Sequence, residues 1–283
     1  MPPRRGALEV LVGARSDRGF RRRLNEDAWL AAHPVYLVAD GMGGHDAGDR
    51  ASAAVVAAFR PLAGRSDLTV DDVAAAVDAA HAAVDRISRG TTRGAGSTLA
   101  GIVALVQGGQ PRWLVFSIGD SRVYRMWGGR LTQLTHDHSV VQEMIDQGEL
   151  DPRDAASHSG RNVITRAVGD GGSAPDYWLR EVVTGERFVL CSDGLSGELD
   201  DEALRIAAVG GGTPSHTAQS LIDRALARGG RDNITTIVLD VVSGGAGWEP
   251  DADAGFGPAG FDIDERTVEA DTVTSGRRGG TGG

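Results

Sequence analysis

The stretch Tyr36-Leu37-Val38-Ala39-Asp40-Gly41-Met42-Gly43-Gly44 runs an apolar strand directly into an Asp-Gly step. Residues 189–197 repeat this arrangement around Asp193-Gly194, with a further glycine at the same offset. A third apolar run ends at Asp120, and Asp232 stands just before a fourth, over 234–241. One Asp-Gly step after an apolar run indicates an ordinary turn, so the repetition is the informative feature.

Aspartates at the ends of several buried strands predict a metal site. Each strand is a rigid base that directs its carboxylate to an edge of the sheet, and converging carboxylates repel one another unless a cation neutralises them. Because all the candidate ligands are oxygens, the pattern favours Mg²⁺ or Mn²⁺ over zinc.

A charged segment, residues 21–27, adds three arginines followed by Asn25, Glu26 and Asp27. A solvated loop with local ion pairs is one interpretation. The other is a metal ligand at Glu26 or Asp27 together with an arginine that grips a phosphate through two parallel hydrogen bonds. Beside the aspartates, the second interpretation indicates phosphate-ester chemistry.

Composition excludes several classes of protein. All 29 Lys and Arg residues are arginines, which excludes a Schiff-base lysine and the phosphate-anchoring lysines of P-loop proteins and kinases. The single cysteine, Cys191, excludes a disulfide framework within this sequence. A net charge of −10 argues against nucleic acid as a partner. With no signal-peptide pattern and no apolar run of membrane-spanning length, we expect a cytoplasmic protein.

The order of the predicted elements indicates an α+β fold, because strands come in adjacent groups with helices in pairs between them. Residues 1–241 are predicted to form one domain, and the Gly- and Asp-rich residues 242–283 a disordered tail. We predict strands at 8–13, 35–39, 98–106, 113–118, 122–127, 164–168, 188–191 and 234–241. We predict helices at 47–60, 71–87, 140–147, 201–208 and 215–228.

Seven short segments carry a resemblance to a known family. They are Arg22-x-x-Asn25-Glu26-Asp27, Asp40-Gly41-Met42-Gly43-Gly44, Gly96-Ser97-Thr98-Leu99, Ile118-Gly119-Asp120-Ser121-Arg122, Asp137-His138-Ser139, Cys191-Ser192-Asp193-Gly194-Leu195 and Asp232-Asn233-Ile234-Thr235. Their order and approximate spacing resemble the metal-dependent Ser/Thr protein phosphatases (PPM family, type 2C), in their bacterial branch. The resemblance covers about residues 8–241 and implies a sandwich of two antiparallel β-sheets flanked by α-helices on both outer faces, with metals in a channel at one end.

The resemblance also implies a metal-ligand set of two Mn²⁺ or Mg²⁺ ions per chain. Asp40 would bridge the two ions. Glu26 and the Gly41 carbonyl would complete one shell, and Asp193 and Asp232 would hold the other ion.

Three further residues receive roles from the same resemblance. Asp27 would orient bound waters, Asp120 would join Asp193 at a third, weaker ion, and Arg22 would grip the substrate phosphate. In this scheme a water bridging the two ions loses its proton near neutral pH and attacks phosphorus in line. The implied partners are phosphorylated proteins, namely Ser/Thr kinases and their substrates, and we expect a monomer.

Some positions leave alternatives open. Met42 stands where eukaryotic members have a histidine proposed as the leaving-group acid, so either His45 or a metal-bound water would take that role. His136 and His138 form a His-x-His that indicates either zinc or, as we expect, a structural role before the helix at 140–147. Residues 148–161 match the position of the family's flap beside the active site.

Two other functions are compatible with parts of this pattern. One is a pseudophosphatase that binds phosphoproteins without hydrolysing them, against which Asp40, Asp193 and Asp232 are all present. The other is a phosphoesterase that uses the same site on small molecules, which the sequence leaves open.

Overall fold

The computed structural model describes residues 7–43, 47–210 and 212–247. The strands in these ranges are β1 (Glu9–Asp17), β2 (Asp27–Ala32), β3 (Val35–Gly43), β4 (Ala95–Ser97), β5 (Leu99–Gln107), β6 (Gln110–Ile118), β7 (Arg122–Trp127), β8 (Arg130–Gln133), β9 (Asp176–Glu181), β10 (Arg187–Cys191) and β11 (Ile234–Ser243). The helices are α1 (Ala47–Phe59), α2 (Val70–Arg89), α3 (Val140–Asp146), α4 (Asp193–Ser196), α5 (Asp201–Val209) and α6 (Pro214–Arg228).

The strands form two antiparallel sheets. One has the order β1-β11-β10-β7-β8, and the other has the order β2-β3-β5-β6-β9, with β4 paired to β3. Neighbours in each sheet pair antiparallel.

Side-chain alternation along β3 explains why the two sheets stack. Tyr36 and Val38 belong to the apolar layer between the sheets. Leu37 and Ala39 point to the opposite face and join the core formed with α1 and α2. Because both faces are buried, the strand needs an apolar residue at every position, and each fully buried large side chain contributes about 1.5–3 kcal/mol.

Strand β10 repeats this arrangement in the other sheet. Phe188 and Leu190 face the layer between the sheets. Val189 and Cys191 face the core that α5 and α6 cover. Helices therefore pack on both outer faces of the sandwich, which confirms the predicted α+β sandwich.

Helix starts follow capping chemistry that is readable in the sequence. Thr69 caps α2 in a reciprocal capping box with Asp72. Asp200 caps α5 and Thr213 caps α6, with Pro214 in the first turn. No helix of the described ranges is both long and apolar enough to cross a membrane.

The predicted strand at 164–168 is wrong. Its two ends form isolated bridges to different partners, Ile164 to Ser139 and Val168 to Ser97, while Thr165 and Arg166 between them are exposed. The segment therefore connects two parts of the fold and pairs continuously with neither.

The end of the body also differs slightly from the predicted boundary. Strand β11 continues to Ser243, two residues past the predicted end at 241, and pairs there with Glu9 of β1. Most of the predicted tail, residues 248–283, lies outside the described residues, so its predicted disorder stays a prediction.

Candidate active site

Strand register brings Asp27 and Asp40 side by side. Asp27 opens β2 and pairs directly with Asp40 of β3. Opposite residues of an antiparallel pair project from the same face, so both carboxylates share a face of the sheet. On β3 this is the face of Tyr36 and Val38, and Asp40 therefore lies where the apolar layer between the sheets ends.

Glu26 and the Gly41 carbonyl meet against Gly48 of α1. A Cβ placed on Gly48 would lie 2.4 Å from Glu26 Oε1 and 2.8 Å from the Gly41 oxygen. The Gly48 N–H also donates a hydrogen bond to the Glu26 carboxylate. Only glycine leaves this space open. Glu26 Oε1 and the Gly41 carbonyl oxygen, which the resemblance assigns to one metal ion, both border it.

Asp193 and Asp232 meet because β10 and β11 are antiparallel neighbours. Asp193 follows the end of β10, and Asp232 precedes the start of β11. A Cβ on Gly194 would lie 1.9 Å from the Asn233 carbonyl oxygen and 3.3 Å from the Asp232 Cβ. The glycine of this Asp-Gly step is thus needed for a close backbone approach and not for a left-handed turn.

Asp120 reaches the same end of the sandwich from the turn between β6 and β7. Gly119 before it has a φ of 96°, which favours glycine. The Asp40 N–H donates to Thr98 Oγ1 at 2.9 Å, and the Thr98 and Ser121 hydroxyls are hydrogen-bonded at 2.7 Å. These hydroxyls tie the Asp120 turn to β3.

Crowding of these carboxylates changes their acidity. Burial, with the charges of Asp193 and Asp232, raises the pKa of Asp27 to about 7. Burial and neighbouring carboxylates raise the pKa of Asp40 well above its usual value and that of Asp120 to about 8. The pKa of Asp193 is also raised by burial and by Asp232. Burial and mutual repulsion therefore favour the protonated forms of these carboxyl groups wherever no cation is bound.

Arg22 is the cation that contacts this cluster. Its Nη2 donates to Asp232 Oδ2 at 2.6 Å, and 51% of its side chain is exposed. The hydrogen bond to Asp232 raises the pKa of the Arg22 guanidinium. The arginine therefore stands at the mouth of the cluster, between its carboxylates and solvent.

The donor set fits hard divalent ions, although its present arrangement is not a finished coordination shell. Within the described ranges, no three His, Cys, Asp or Glu side chains are grouped so as to hold an ion. Asp232 is engaged by Arg22 instead, through the hydrogen bond at 2.6 Å. Among the described residues, the buried oxygens Asp27 Oδ1 and Asp193 Oδ1 have no hydrogen-bond partner, and unpaired carboxylate oxygens of this kind suit a divalent cation.

Asn233 is the main site residue that sequence reasoning missed. Its buried amide accepts the Glu26 N–H at 2.8 Å and donates to the carbonyls of Arg18 and Leu24, each at 2.9 Å. This single side chain fixes the segment that carries both Glu26 and Arg22. The only available signal was its position directly after Asp232.

Ser192 was missed as well. Its hydroxyl donates to Asp27 Oδ2 at 2.7 Å and accepts the Thr235 N–H at 3.0 Å. It thereby fixes one oxygen of Asp27 and leaves the other without a partner.

The His-x-His pair has structural contacts. The His138 backbone N–H donates to the Gly119 carbonyl at 2.9 Å, and the His138 Nδ1 accepts the Gly119 N–H at 3.1 Å. His136 Nε2 lies 2.7 Å from Asp146 Oδ2. The two rings therefore bind different partners, as expected for a structural role. Met42 is half-buried beside Gly96, and His45 lies outside the described residues.

The segment 148–161, predicted to be a flap, is largely exposed. It contains one 3₁₀ turn, Pro152–Ser157, which Asp151 caps. Its part in function stays a prediction.

Comparison with known proteins identifies the family. The model of the protein phosphatase 2C family (PP2C_2) matches residues 21–226. The chain is 40% identical over 248 residues to the serine/threonine protein phosphatase PstP of Mycobacterium tuberculosis, covering 84% of this chain and 46% of that protein. It is 31% identical to the serine/threonine phosphatase stp of Listeria monocytogenes, covering 80% and 94%. The chain thus spans about half the length of PstP.

Solved structures agree with this result. The crystal structure of Mycobacterium tuberculosis PstP/Ppp superposes with a TM-score of 0.77 at 38% identity, covering 82% of this chain and 99% of that one. The PstP catalytic domain in complex with two manganese ions gives 0.76 at 37% identity, covering 83% and 100%. The fold, the ordered aspartates and these matches together show that the chain belongs to the protein phosphatase 2C family.

Proposed function

We propose that this protein is a metal-dependent phosphatase that hydrolyses phosphoserine and phosphothreonine on proteins, using two Mn²⁺ or Mg²⁺ ions. The observation that carries the proposal is a cluster of carboxylates with unpaired buried oxygens, which faces an arginine at the open end of the sandwich. Oxygen ligands for hard cations beside a guanidinium form a site for a phosphate monoester. The names of the relatives from Mycobacterium and Listeria support the substrate class.

In this proposal Asp40 would be a ligand for both ions. Glu26 and the Gly41 carbonyl would complete one ligand set, and Asp193 and Asp232 the other. Asp120, beside Asp193, would add a third and weaker site. When bound, such ions lower the pKa of water and offset negative charge on phosphoryl oxygens.

Arg22 has to exchange partners in this scheme. Its guanidinium donates to Asp232, and a cation bound by Asp232 would compete with it for that carboxylate. The freed fork would then donate two parallel hydrogen bonds to the substrate phosphate and stabilise charge as the phosphoryl group transfers.

We propose that Asp27 orients solvent. Ser192 holds its Oδ2, and its Oδ1 has no partner. That oxygen would accept a hydrogen bond from the attacking water and fix the direction of approach. Met42 has no proton to give, so we propose that solvent protonates the leaving alkoxide.

The proposed partners are phosphorylated proteins, including Ser/Thr kinases and their substrates. Phosphoproteome comparison of cells with and without the protein would identify them. Phosphosites that rise on its loss and fall when the purified enzyme is added would be the direct targets.

Hydrolysis of p-nitrophenyl phosphate and of a phosphothreonine peptide tests the activity. Both reactions should require added Mn²⁺ or Mg²⁺ and should stop with EDTA. Arg22→Ala should mainly raise KM, because it removes phosphate contacts. Peptide binding without turnover in Mn²⁺ would indicate a pseudophosphatase instead, and turnover of small esters alone would indicate a small-molecule phosphoesterase.

A further inference from the structure

The segment that carries Arg22 has an unusual surface. We call residues 18–24 the arginine loop, since they include Arg18, Arg21, Arg22 and Arg23 within a chain of net charge −10. Residues 20–24 are all exposed. Two of them are large and apolar, with Phe20 68% and Leu24 46% exposed.

The arginine loop is held in place despite this exposure. Asn233 binds the carbonyls at both of its ends, and the Phe20 N–H donates to the Gly230 carbonyl at 2.7 Å. Gly19, at a φ of 72°, lies so close that a Cβ there would sit 2.1 Å from the Asp232 carbonyl oxygen. A surface that is fixed before binding loses little conformational freedom when a partner docks.

The charges of the loop fall into two groups. Arg22 engages the carboxylate cluster through Asp232. Arg21 and Arg23, on either side of it, take no part in the ion pairs found among the described residues. Exposed aromatic and arginine side chains side by side are typical of protein-binding surfaces.

We propose that Phe20, Arg21, Arg23 and Leu24 form a docking surface for the part of a phosphoprotein that flanks the phosphorylated residue. Phe20 and Leu24 would contact an apolar side chain, and Arg21 and Arg23 would attract acidic side chains near the phosphate. Because Arg22 is flanked in sequence by Arg21 and Arg23, the residues beside a phosphate held by Arg22 would lie near this surface. The inference rests on the proposed function and adds a sequence preference to it.

Two phosphothreonine peptides test this preference. One carries acidic residues and a leucine around the phosphothreonine, and the other carries alanine and serine there. The full-length protein is assayed in Mn²⁺ on both peptides and on p-nitrophenyl phosphate. The variants are Arg21→Gln/Arg23→Gln and Phe20→Ala/Leu24→Ala.

Matched controls are available elsewhere on the chain. Arg86→Gln/Arg130→Gln makes the same charge change at two exposed arginines on α2 and β8. Val106→Ala removes an apolar side chain that is 61% exposed at the end of β5.

We expect the arginine double variant to raise KM for the acidic peptide about three- to tenfold, with kcat unchanged, and less so at high salt. The apolar double variant should raise the same KM without this salt dependence. Neither should change turnover of p-nitrophenyl phosphate, and the controls should match the wild type.

Three outcomes would overturn the inference. The first is equal use of both peptides by wild type and variants, which leaves the phosphatase function intact. The second is an equal loss on p-nitrophenyl phosphate, which shows that the loop only positions Arg22. The third is a gain in kcat/KM in the variants, which shows that another part of this acidic chain or a second copy covers the surface. Absence of any wild-type turnover in Mn²⁺ would instead reject the proposed function.

Discussion

The two ends of strand β10 carry acids with opposite surroundings: Glu186 is buried, and Asp193 is partly buried. Glu186 precedes the strand and is 1% exposed, yet every contact that it needs is present. Its Oε1 accepts from Trp113 Nε1 and from the Val183 N–H, each at 3.0 Å, and its Oε2 accepts from Arg125 Nε at 2.7 Å. Asp193 follows the strand and has a buried oxygen without a partner, next to other carboxylates.

This difference separates a structural acid from a functional one. A buried carboxylate that the protein neutralises itself holds the fold together, because removing it strands its donors. A carboxylate left unneutralised costs stability and persists where an external cation supplies the missing charge. The five residues of β10 thus separate a fully hydrogen-bonded acid, Glu186, from Asp193, the proposed metal ligand.

The largest expected effect is the loss of activity on replacing Asp193, which follows β10. Asp193→Asn keeps the shape of the side chain and removes the charge that a metal requires. We expect kcat/KM to fall by about a thousandfold, while the free energy of unfolding in EDTA at pH 8 stays equal or rises, because repulsion is relieved. Phosphatase assays in Mn²⁺ and urea denaturation in EDTA measure the two quantities. A strong loss of metal-free stability would contradict the functional interpretation of Asp193.

Glu186→Ala, at the start of β10, should have the reverse effect: it should reduce stability and leave activity nearly unchanged. It leaves Arg125, Trp113 Nε1 and the Val183 N–H without their acceptor, so unfolding should become easier by about 3 kcal/mol. Below the lowered melting temperature, kcat/KM should stay within about twofold of the wild type, since the nearest part of the active site is at the other end of β10. Calorimetry and assays at low temperature check both parts. A thousandfold loss of activity in folded protein would break the comparison.

Sequence patterns predicted the centre of the fold better than its borders. Strands β3 and β10 were predicted because burial on both faces requires continuous apolar runs. Strands β2, β8 and β9 were not predicted, and all three lie at sheet edges, where mixed polar and apolar residues weaken the pattern. The three-residue β4, which pairs with β3 and has an isolated bridge to Val168, gave no signal either.

The candidate site divides in the same way. Asp40, Asp120, Asp193 and Asp232 were readable because each adjoins an apolar strand. Asn233 was not, because its partners Arg18 and Leu24 are more than 200 residues away along the chain. A role that depends on contacts distant in sequence leaves no local sequence pattern from which it could be predicted.

Replacing Asn233 should have a smaller effect, on stability, on KM and on Mn²⁺ activation together. Asn233→Ala removes three hydrogen bonds that fix the segment carrying Arg22 and Glu26. We expect a loss of about 2 kcal/mol in unfolding free energy, together with a higher KM and weaker Mn²⁺ activation. Asn25→Ala, which removes only a contact with the Ser16 hydroxyl and a local backbone contact, is the control. Equal effects of the two variants on KM would contradict the assigned role of Asn233.

Titration of the clustered carboxyl groups tests the comparison through pH. Folding raises the pKa of Asp27 to about 7 and that of Asp120 to about 8, from ordinary values near 4. A carboxyl group with a raised folded pKa favours the folded state below the unfolded pKa, and that benefit is lost as pH rises through the folded pKa. In EDTA, the contribution of these two groups to stability should therefore fall as the pH rises from about 4 to about 8.

Difference measurements isolate this contribution from the other titrating groups. Urea denaturation of the wild type and of Asp120→Asn, in EDTA at four pH values from 5 to 8, should show the variant losing less stability as pH rises. Excess Mn²⁺ should flatten the wild-type profile in the same range, because a bound cation removes the need for the proton. Parallel profiles for wild type and variant in EDTA would mean that the charge of the carboxylates around Asp193 is already neutralised within the protein. The two ends of β10 would then differ in geometry alone.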